Sequence, residues 1–434
     1  MEVFYKYLTL TDPNVRYVVL SIVLLGGVSG AVGSFNFLRK KTLVGETVAH
    51  SMLPGVLIAF LLSGVKNPYV LVLGAAISGW LSILLVDAIT THSKIKGDSA
   101  LAIVLSSFFG FGIVLLTMIQ GRYVGNQSGL DHYIFGNAAA MSPEDSVAFA
   151  WVSVAVLILV VANYFSLKAI IFNPDYAKSI GISRKRINGL ISFITILSIS
   201  VGIKAVGIVM MSALLIIPPT AARFWTQRFT PLLLISGFFG AVAGWLGAYV
   251  SYSQTSMPTG PWTIVAVSVI AFISMLFAPK RGVVYQRWNK LMLKRRINEE
   301  NLLKTAVQNE VRGKGKLFTR TAISERQFFE LKLWKRTIRR LVRKGMVTKV
   351  NTGYTLSGKG RRYGAEIDRR HKIWEVYLQR RMQMSVHLVH DEAETMEHFL
   401  TPEIEEEILG ELGLCSRFNP ILEIHELIPD TEVA

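Results

Sequence analysis

Residues 45–55 read GETVAHSMLPG and run straight into VLIAFLL at 56–62. Glu46 and His50 stand four apart, so on a helix they share a face. Pro54 lies four further on and is expected to kink that helix or open its hydrogen-bond ladder. A charged group in hydrocarbon costs about 2.5–3.5 kcal/mol on insertion scales. A carboxylate and an imidazole are tolerated there when they pair with each other, line a wet path or bind a cation. Two readings follow from the spacing: a structural Glu–His pair near a membrane surface, or a transmembrane site for a divalent metal.

The surrounding composition favours a membrane setting. The chain has 434 residues, 51% of them hydrophobic, and a formal charge of +17; its mean hydropathy is +0.40. The charge is unevenly spread. Residues 1–282 hold 19 basic and 9 acidic side chains, residues 283–382 hold 27 and 8, and residues 383–434 hold 1 and 13. An apolar body is therefore followed by one that is basic first and acidic last. Cys415 is the only cysteine, which excludes an internal disulfide and a thiolate zinc cage. The first 14 residues lack a basic start followed by an apolar core, so no cleavable leader is expected.

Apolar runs of spanning length recur near 17–38, 43–62, 69–90, 99–119, 147–167, 188–202, 205–225, 231–252 and 262–278, about nine spans in all. A short turn at a membrane surface, carrying Lys204, is expected between the sixth and seventh. Basic clusters at 39–41, 94–96, 178–186, 223–228 and 280–281 all fall on one side if the N-terminus is outside. The positive-inside rule makes that side cytoplasmic. The loop 120–146 then lies outside, with Asp131 and His132 as ordinary loop groups or cation contacts. The loop 172–186, FNPDYAKSIGISRKR, lies inside, with a short helix over 175–180 capped by Asn173. It reads as a solvated connector or a docking point for a soluble partner. Two prolines in LLIIPPT (214–220) are expected to break their span, and Met210 and Met211 just above read as packing or as soft-metal contacts.

Taken together, GETVAHSMLPGVLIAFLLSG, KGDSALAIVLSSFFGFGIVLL, LDHYIFGN, FNPDYAKSIGIS and VGIVMMSALLIIPPTAA resemble the permease subunits of the manganese/zinc/iron ABC-importer family. The likeness covers about residues 20–280. It implies that Glu46 and His50, where the family usually has Asp-x-x-x-His, lie on the metal path. It also implies that Asp175, Tyr176, Ala177, Lys178, Ser179 and Ile180 form the segment gripping a separate ATPase. No GxxxxGK[ST] loop occurs in the chain, so it is not expected to be an enzyme. An extracytoplasmic metal-binding protein and a second permease, identical or homologous, are the other implied partners. The resemblance places the chain in a bacterial cell membrane.

The second body begins with a basic, Trp-containing segment at 286–296, which either lies on anionic lipid or opens the first soluble helix. Helices are expected over 299–311, 319–327 and 331–344. The last carries Leu333, Trp334, Ile338, Leu341 and Val342 on one side, with Lys332, Lys335, Arg336, Arg339, Arg340, Arg343 and Lys344 elsewhere. A hairpin is expected over 346–356 around Asn351-Thr352, with a basic run, 358–362, behind it. Helices followed by a small hairpin describe a winged helix-turn-helix, its basic helix suited to a DNA major groove. Further helices are expected over 367–379 and 386–400. His390, Glu394, Glu397 and His398 share one helical face, and His371 and Glu375 are four apart on the preceding helix. Such N/O donors suit Mn2+, Fe2+ or Zn2+.

TGYTLSGKGRRYG, RRHKIWE and HDEAETMEHFLTPEIEE resemble the iron- and manganese-dependent transcription repressors over about 298–425. The likeness implies regulatory ligands at His371, Glu394, Glu397 and His398 and an ancillary set at His371, Glu375 and His390. Glu394 stands where iron sensors have Cys, which leans the ion toward Mn2+. Glu300 stands in for an acidic ligand from the first helix. The expected fold is thus an all-α polytopic membrane domain (1–282), a cytoplasmic winged helix-turn-helix (283–365) and a helical metal-binding and dimerisation domain (366–434). Operator DNA is the implied partner of the second body, with gating of transport as the alternative to DNA binding.

Overall fold

The described residues of the computed structural model are 5, 7, 9, 13–64, 67–121, 136, 143–253, 258–313, 315–324, 330–350, 353–384, 389, 393, 396, 400 and 402–412. They divide into two units, Met1–Gln286 and Arg287–Ala434.

In the first unit the apolar runs become helices: α1 Pro13–Leu38, α2 Leu43–Ser63, α3 Pro68–His92, α4 Gly97–Gln120, α5 Pro143–Ala162, α6 Tyr164–Phe172, α7 Pro174–Ser179, α8 Arg184–Val206, α9 Ile208–Trp225, α10 Phe229–Ser253 and α11 Thr259–Phe277. Local chemistry sets their ends. Gly64 closes α2 at φ +68°, returning its N–H to the Phe60 carbonyl. Asn67 opens α3 by accepting the Tyr69 N–H at 3.0 Å, with Pro68 in the first turn. Gly207, at φ +89° and ψ 158°, separates α8 from α9.

Eight of the described helices are long and apolar enough to span a membrane: α1–α5, α8, α10 and α11. The expected span at 205–225 is α9, 18 residues from Ile208 with Pro218, Pro219 and Arg223 inside it, and it is not among the eight. The expected span at 147–167 ends early, because the helix breaks at Asn163, whose Nδ2 returns to the Leu159 carbonyl at 3.0 Å.

The helices form an inner and an outer set. Two-thirds (67%) of the spanning windows of α1, α2 and α8 are buried, against 22% for α4, α5 and α11. The outer helices expose Phe111, Val114, Trp151, Val161 and Phe277, an apolar surface that only lipid accommodates. Inside, Val48, Ala49, Met52, Leu53, Val56 and Leu57 of α2 pack with Ile191 and Ile194 of α8 and with Phe35 of α1.

Without a hydrophobic force between helices in lipid, close backbone approach holds them together. A Cβ at Gly26 of α1 would collide with the Gly240 carbonyl of α10, and one at Gly240 with the Gly26 carbonyl. Ser236 then donates from Oγ to the Gly30 carbonyl at 2.5 Å. Gly55 of α2 and Gly74 of α3 meet in the same way.

The paired prolines do not break their helix, contrary to the sequence expectation: α9 runs through Pro218 and Pro219, as α2 runs through Pro54. In α9, Pro219 removes the N–H that the Leu215 carbonyl would otherwise accept. Gly33 of α1 lies against that carbonyl, where a Cβ would collide. A glycine Cα–H at that distance offers the freed carbonyl a weak partner, so tertiary packing absorbs the proline.

The second unit is ordered around a small sheet. α12 (Val283–Val311) begins at the end of the first unit and continues through the boundary as one helix. It is followed by β1 Leu317–Phe318, α13 Arg320–Ser324, α14 Leu331–Arg343, β2 Val347–Val350, β3 Gly353–Leu356, α15 Gly358–Arg380 and α16 Pro402–Glu411. The expected hairpin is β2–β3, antiparallel, with Thr348 opposite Thr355. β1, two residues long, pairs with the other edge of β3. The run 358–362 is the start of α15, which Ser357 caps by accepting the Gly360 N–H at 3.1 Å. Leu302, Leu303, Phe318, Trp334, Ile338, Leu341 and Leu356 form the core; Val342, expected on the apolar side of α14, is exposed.

Gly240→Leu is expected to lower the melting temperature of the detergent-solubilised protein by about 2–5 °C, since overpacking costs about 1–3 kcal/mol. Gly110→Leu, at an exposed site with nothing within 4 Å of an added Cβ, is expected to leave it unchanged or raise it. Equal effects of the two changes, read by thermal unfolding, would contradict the packing described.

Candidate metal path and regulatory unit

Glu46 and His50 are half-buried one turn apart on α2, whose neighbouring Thr47, Val48, Ala49 and Ser51 are fully buried. The His50 ring meets Phe109 of α4 edge-on at 4.8 Å. Its Nδ1 is buried and has no hydrogen-bond partner among the described residues. The two side chains thus share a face, as their spacing requires. The Nδ1 lone pair or N–H is left to something other than the protein groups described, and desolvating such a group without a partner is costly. A carboxylate oxygen and an imidazole nitrogen on one face are donors for a borderline divalent ion. Two donors leave such an ion's remaining positions to water or to groups from another chain.

A separate cavity of about 690 Å³ opens beside Val44, Thr47 and Val48 on α2 and is lined by Arg39, Lys41, Asp87, Asp98 and Arg184, among others. Burial and the nearby Arg184 lower the affinity of Arg39 for its proton, and Asp87 opposes this in part. Lys204 does not lie in a turn as expected. It is in the last turn of α8, with Nζ 2.5 Å from Oδ2 of the buried Asp145 on α5. Fifty-nine residues separate the two in sequence, and neither stands in a motif. Met211 is fully buried against Gly202, a packing role.

The segment 173–182 is built to be presented. Asn173 caps α7 by accepting the Tyr176 N–H at 3.0 Å, and Gly181 at φ +81° turns the chain back. Asp175, Tyr176, Lys178, Ser179 and Ile180 are exposed. Ala177, grouped with them in the sequence reading, is fully buried instead. It pins the helix to the core and faces no partner. Asp131 and His132 lie outside the described residues.

In the second unit the basic helix is α14. Lys335, Arg336, Arg339 and Arg343 are exposed. Arg340 and Lys344 are ion-paired: Arg340 Nε lies 3.1 Å and Lys344 Nζ 2.5 Å from the carboxylate of Glu299 on α12, which is buried. The signal that would have found this is the acid pair Glu299-Glu300 inside an otherwise basic helix. Glu300 is likewise committed. It accepts from Arg296 Nε at 2.7 Å and from the Tyr363 hydroxyl at 2.6 Å. Burial, and then Glu300, push the Tyr363 phenol up to about 12. Arg361, of the basic run at 358–362, forks onto Glu310 at 2.7 and 2.8 Å.

His371 is buried on α15 and Glu375 is one turn on, with Nε2 to Oε1 at 3.0 Å. These two expected ligands are brought together. His390, Glu394, Glu397 and His398 lie outside the described residues, and among the described residues no group of three or more His, Cys, Asp or Glu gathers. Beside this pair, Arg369 and Arg370 hold Glu405 of α16, and Leu378 packs with Val389 and Ala393.

Comparison with known proteins places both units. Residues 11–278 match the model of the ABC 3 transport family, and residues 357–422 match that of the iron dependent repressor, metal binding and dimerisation domain. The manganese transport system membrane protein MntC of Bacillus subtilis is 35% identical over 380 residues, covering 87% of each chain. The zinc transport system membrane protein TroC of Treponema pallidum is 37% identical over 64% of this chain and 94% of its own. Among solved structures, PsaBC from Streptococcus pneumoniae in complex with Fab superposes with a TM-score of 0.58 at 27% identity, over 67% of this chain and 99% of that one. With eight spanning helices and a family match over most of its length, the chain is a multi-pass membrane protein of the ABC 3 transport family.

Proposed function

We propose that the chain is the permease of an ABC importer for a divalent transition metal, Mn2+, Zn2+ or Fe2+, joined to a metal-dependent regulator. The observation that carries the transport reading is the Glu46–His50 face on a buried helix, with the His50 Nδ1 left unpartnered by the described residues. The names of the relatives, one a manganese and one a zinc system, support the cargo class. The ion passes along this face, and a second permease copy or homologue supplies the donors α2 lacks. ATP hydrolysis belongs to a separate subunit that docks on Asp175, Tyr176, Lys178, Ser179 and Ile180. An extracytoplasmic metal-binding protein delivers the ion. If α9 crosses the membrane, every basic cluster falls on the cytoplasmic side, which puts α7 and the second unit there too.

Residues 283–365 form a winged helix-turn-helix: α14 is the recognition helix and β2–β3 the wing. Residues 366–434 sense metal and dimerise. His371 and Glu375 hold the ion together with His390, Glu394, Glu397 and His398. Their N/O chemistry suits Mn2+, and also Fe2+ or Zn2+. Exposed Lys335, Arg336, Arg339 and Arg343 reach DNA phosphates. Arg340 and Lys344 fix the angle of α14 on α12 through Glu299 and contribute to DNA binding only by placing the helix.

His50→Ala is expected to abolish metal uptake in cells while expression and ATPase association stay intact; unchanged uptake of all three metals would remove the assigned path. A cysteine at Ser179 is expected to crosslink to the partner ATPase and one at Asn126 is not, and the reverse pattern would invert the orientation. A fragment of residues 283–434 is expected to bind its promoter DNA only with Mn2+ or Fe2+ present, with Glu397→Ala removing both tight binding and metal dependence. With four phosphate contacts per head and two heads, log affinity should fall with log salt at a slope of about −7. DNA binding that is equal in chelator, or metal inhibition of transport by a chain that never binds DNA, favours gating of the permease instead.

A further inference from the structure

α12 and α14 enclose a groove of about 520 Å³, and its charge is of one sign. Lys294, Arg295, Arg336, Arg339, Arg340 and Arg343 line it, with Leu291 and Leu333 as its apolar lining and no carboxylate among the lining residues. Arg340 is neutralised by Glu299. The other five cations form no ion pair among the described residues. One edge of the groove is apolar and open. Trp288, Leu291 and Met292 are 61%, 53% and 49% exposed, and with Arg295 they fall on one face of α12. Arg287 and Lys290 flank that face. Exposed bulky apolar groups interleaved with cations are the pattern of a helix lying in a bilayer interface.

We propose that this face of α12 and the adjoining arginine groove dock on anionic phospholipid of the membrane that the chain itself spans. Trp288, Leu291 and Met292 enter the headgroup–acyl boundary, and Lys294, Arg295, Arg336, Arg339 and Arg343 take up the phosphodiesters. Three observations select lipid. The positive groove complements an anionic leaflet, whereas a second copy of this chain would bring the same positive charge to it. A DNA duplex would satisfy the arginines but leave the Trp288–Met292 edge in water. Finally, only eleven residues separate Trp288 from Phe277, the last residue of α11, so the tether keeps the bilayer at high effective concentration. Arg336, Arg339 and Arg343 are also groups that the regulator reading assigns to DNA. Lipid and DNA then exclude one another, and the bilayer holds the regulator off DNA until something displaces it. The docking rests on that reading for its biological sense but not for its test.

The test uses the full chain in nanodiscs, whose two open faces make the result independent of orientation. Met292→Cys in a Cys415→Ser background carries an environment-sensitive fluorophore. The emission is expected to shift blue in discs containing phosphatidylglycerol relative to pure phosphatidylcholine, and to return in about 0.5 M salt, where the Debye length falls to a few ångströms. Each arginine removed should weaken the lipid response about fivefold, so Arg336→Gln/Arg339→Gln/Arg343→Gln together should weaken it about 100-fold. Lys294→Gln/Arg295→Gln on the other helix should weaken it about 25-fold, a second reading should the triple variant misfold. Emission that is the same in both lipid compositions overturns the proposal. So does a shift that follows the number of copies per disc, or one produced by duplex DNA and not by phosphatidylglycerol.

Discussion

Glu46 and His50 are kept on a helix whose adjoining residues are buried, and the rest of the membrane unit can be understood as the means of doing so. α2 is packed chiefly by α3, α4, α9 and α8; it touches α3 backbone to backbone at Gly55 and Gly74, and the helices around it meet in the same way, Gly26 on Gly240 and Gly33 on the Leu215 carbonyl. Each contact replaces side-chain volume by backbone proximity, which is what binds helices when the solvent is itself apolar. Two polar groups at about 2.5–3.5 kcal/mol each when charged persist in such a place because packing elsewhere holds the helix; on the proposed reading a cation on the path would compensate them. The helix running unbroken through Pro54 belongs to the same picture, for a broken α2 would expose further backbone groups that lipid cannot satisfy.

The second unit follows a different logic, in which a few acids decide what many bases can do. Glu299 takes Arg340 and Lys344, Glu300 takes Arg296 and Tyr363, Glu310 takes Arg361, and Glu405 takes Arg369 and Arg370. The bases so engaged set the angles between α12, α14, α15 and α16. Those left over on α12 and α14 converge on one groove. The placement of the described carboxylates, rather than net charge, decides which basic face is left open.

The spans were legible in the sequence because length and hydropathy suffice for them, and the Glu46–His50 face because a four-residue spacing is a property of the helix itself. The α7 cap at Asn173 was legible for the same local reason. What escaped depends on contacts between residues far apart in the chain. Nothing near Lys204 points to Asp145, and nothing near Leu215 points to Gly33, so Lys204 belongs to the helix that ends at Gly207 rather than to the turn, and the break expected at the paired prolines did not appear. β1, with two residues, carries no alternation to read. Glu300 was singled out only through the family resemblance, and its bond to Tyr363, 63 residues on in α15, could not be read from the sequence. Val342 shows the limit of periodicity: an apolar residue at the margin of a stripe is decided by its neighbours.

The measurement that tests the account most directly is a structure of the full chain with its partner subunits, loaded with Mn2+ or Zn2+ and recorded at the metal's absorption edge. The account predicts an anomalous peak on α2 within about 2.2 Å of a Glu46 oxygen and a His50 nitrogen. Metal found elsewhere among the helices, with Glu46 and His50 closed onto protein groups, would contradict it.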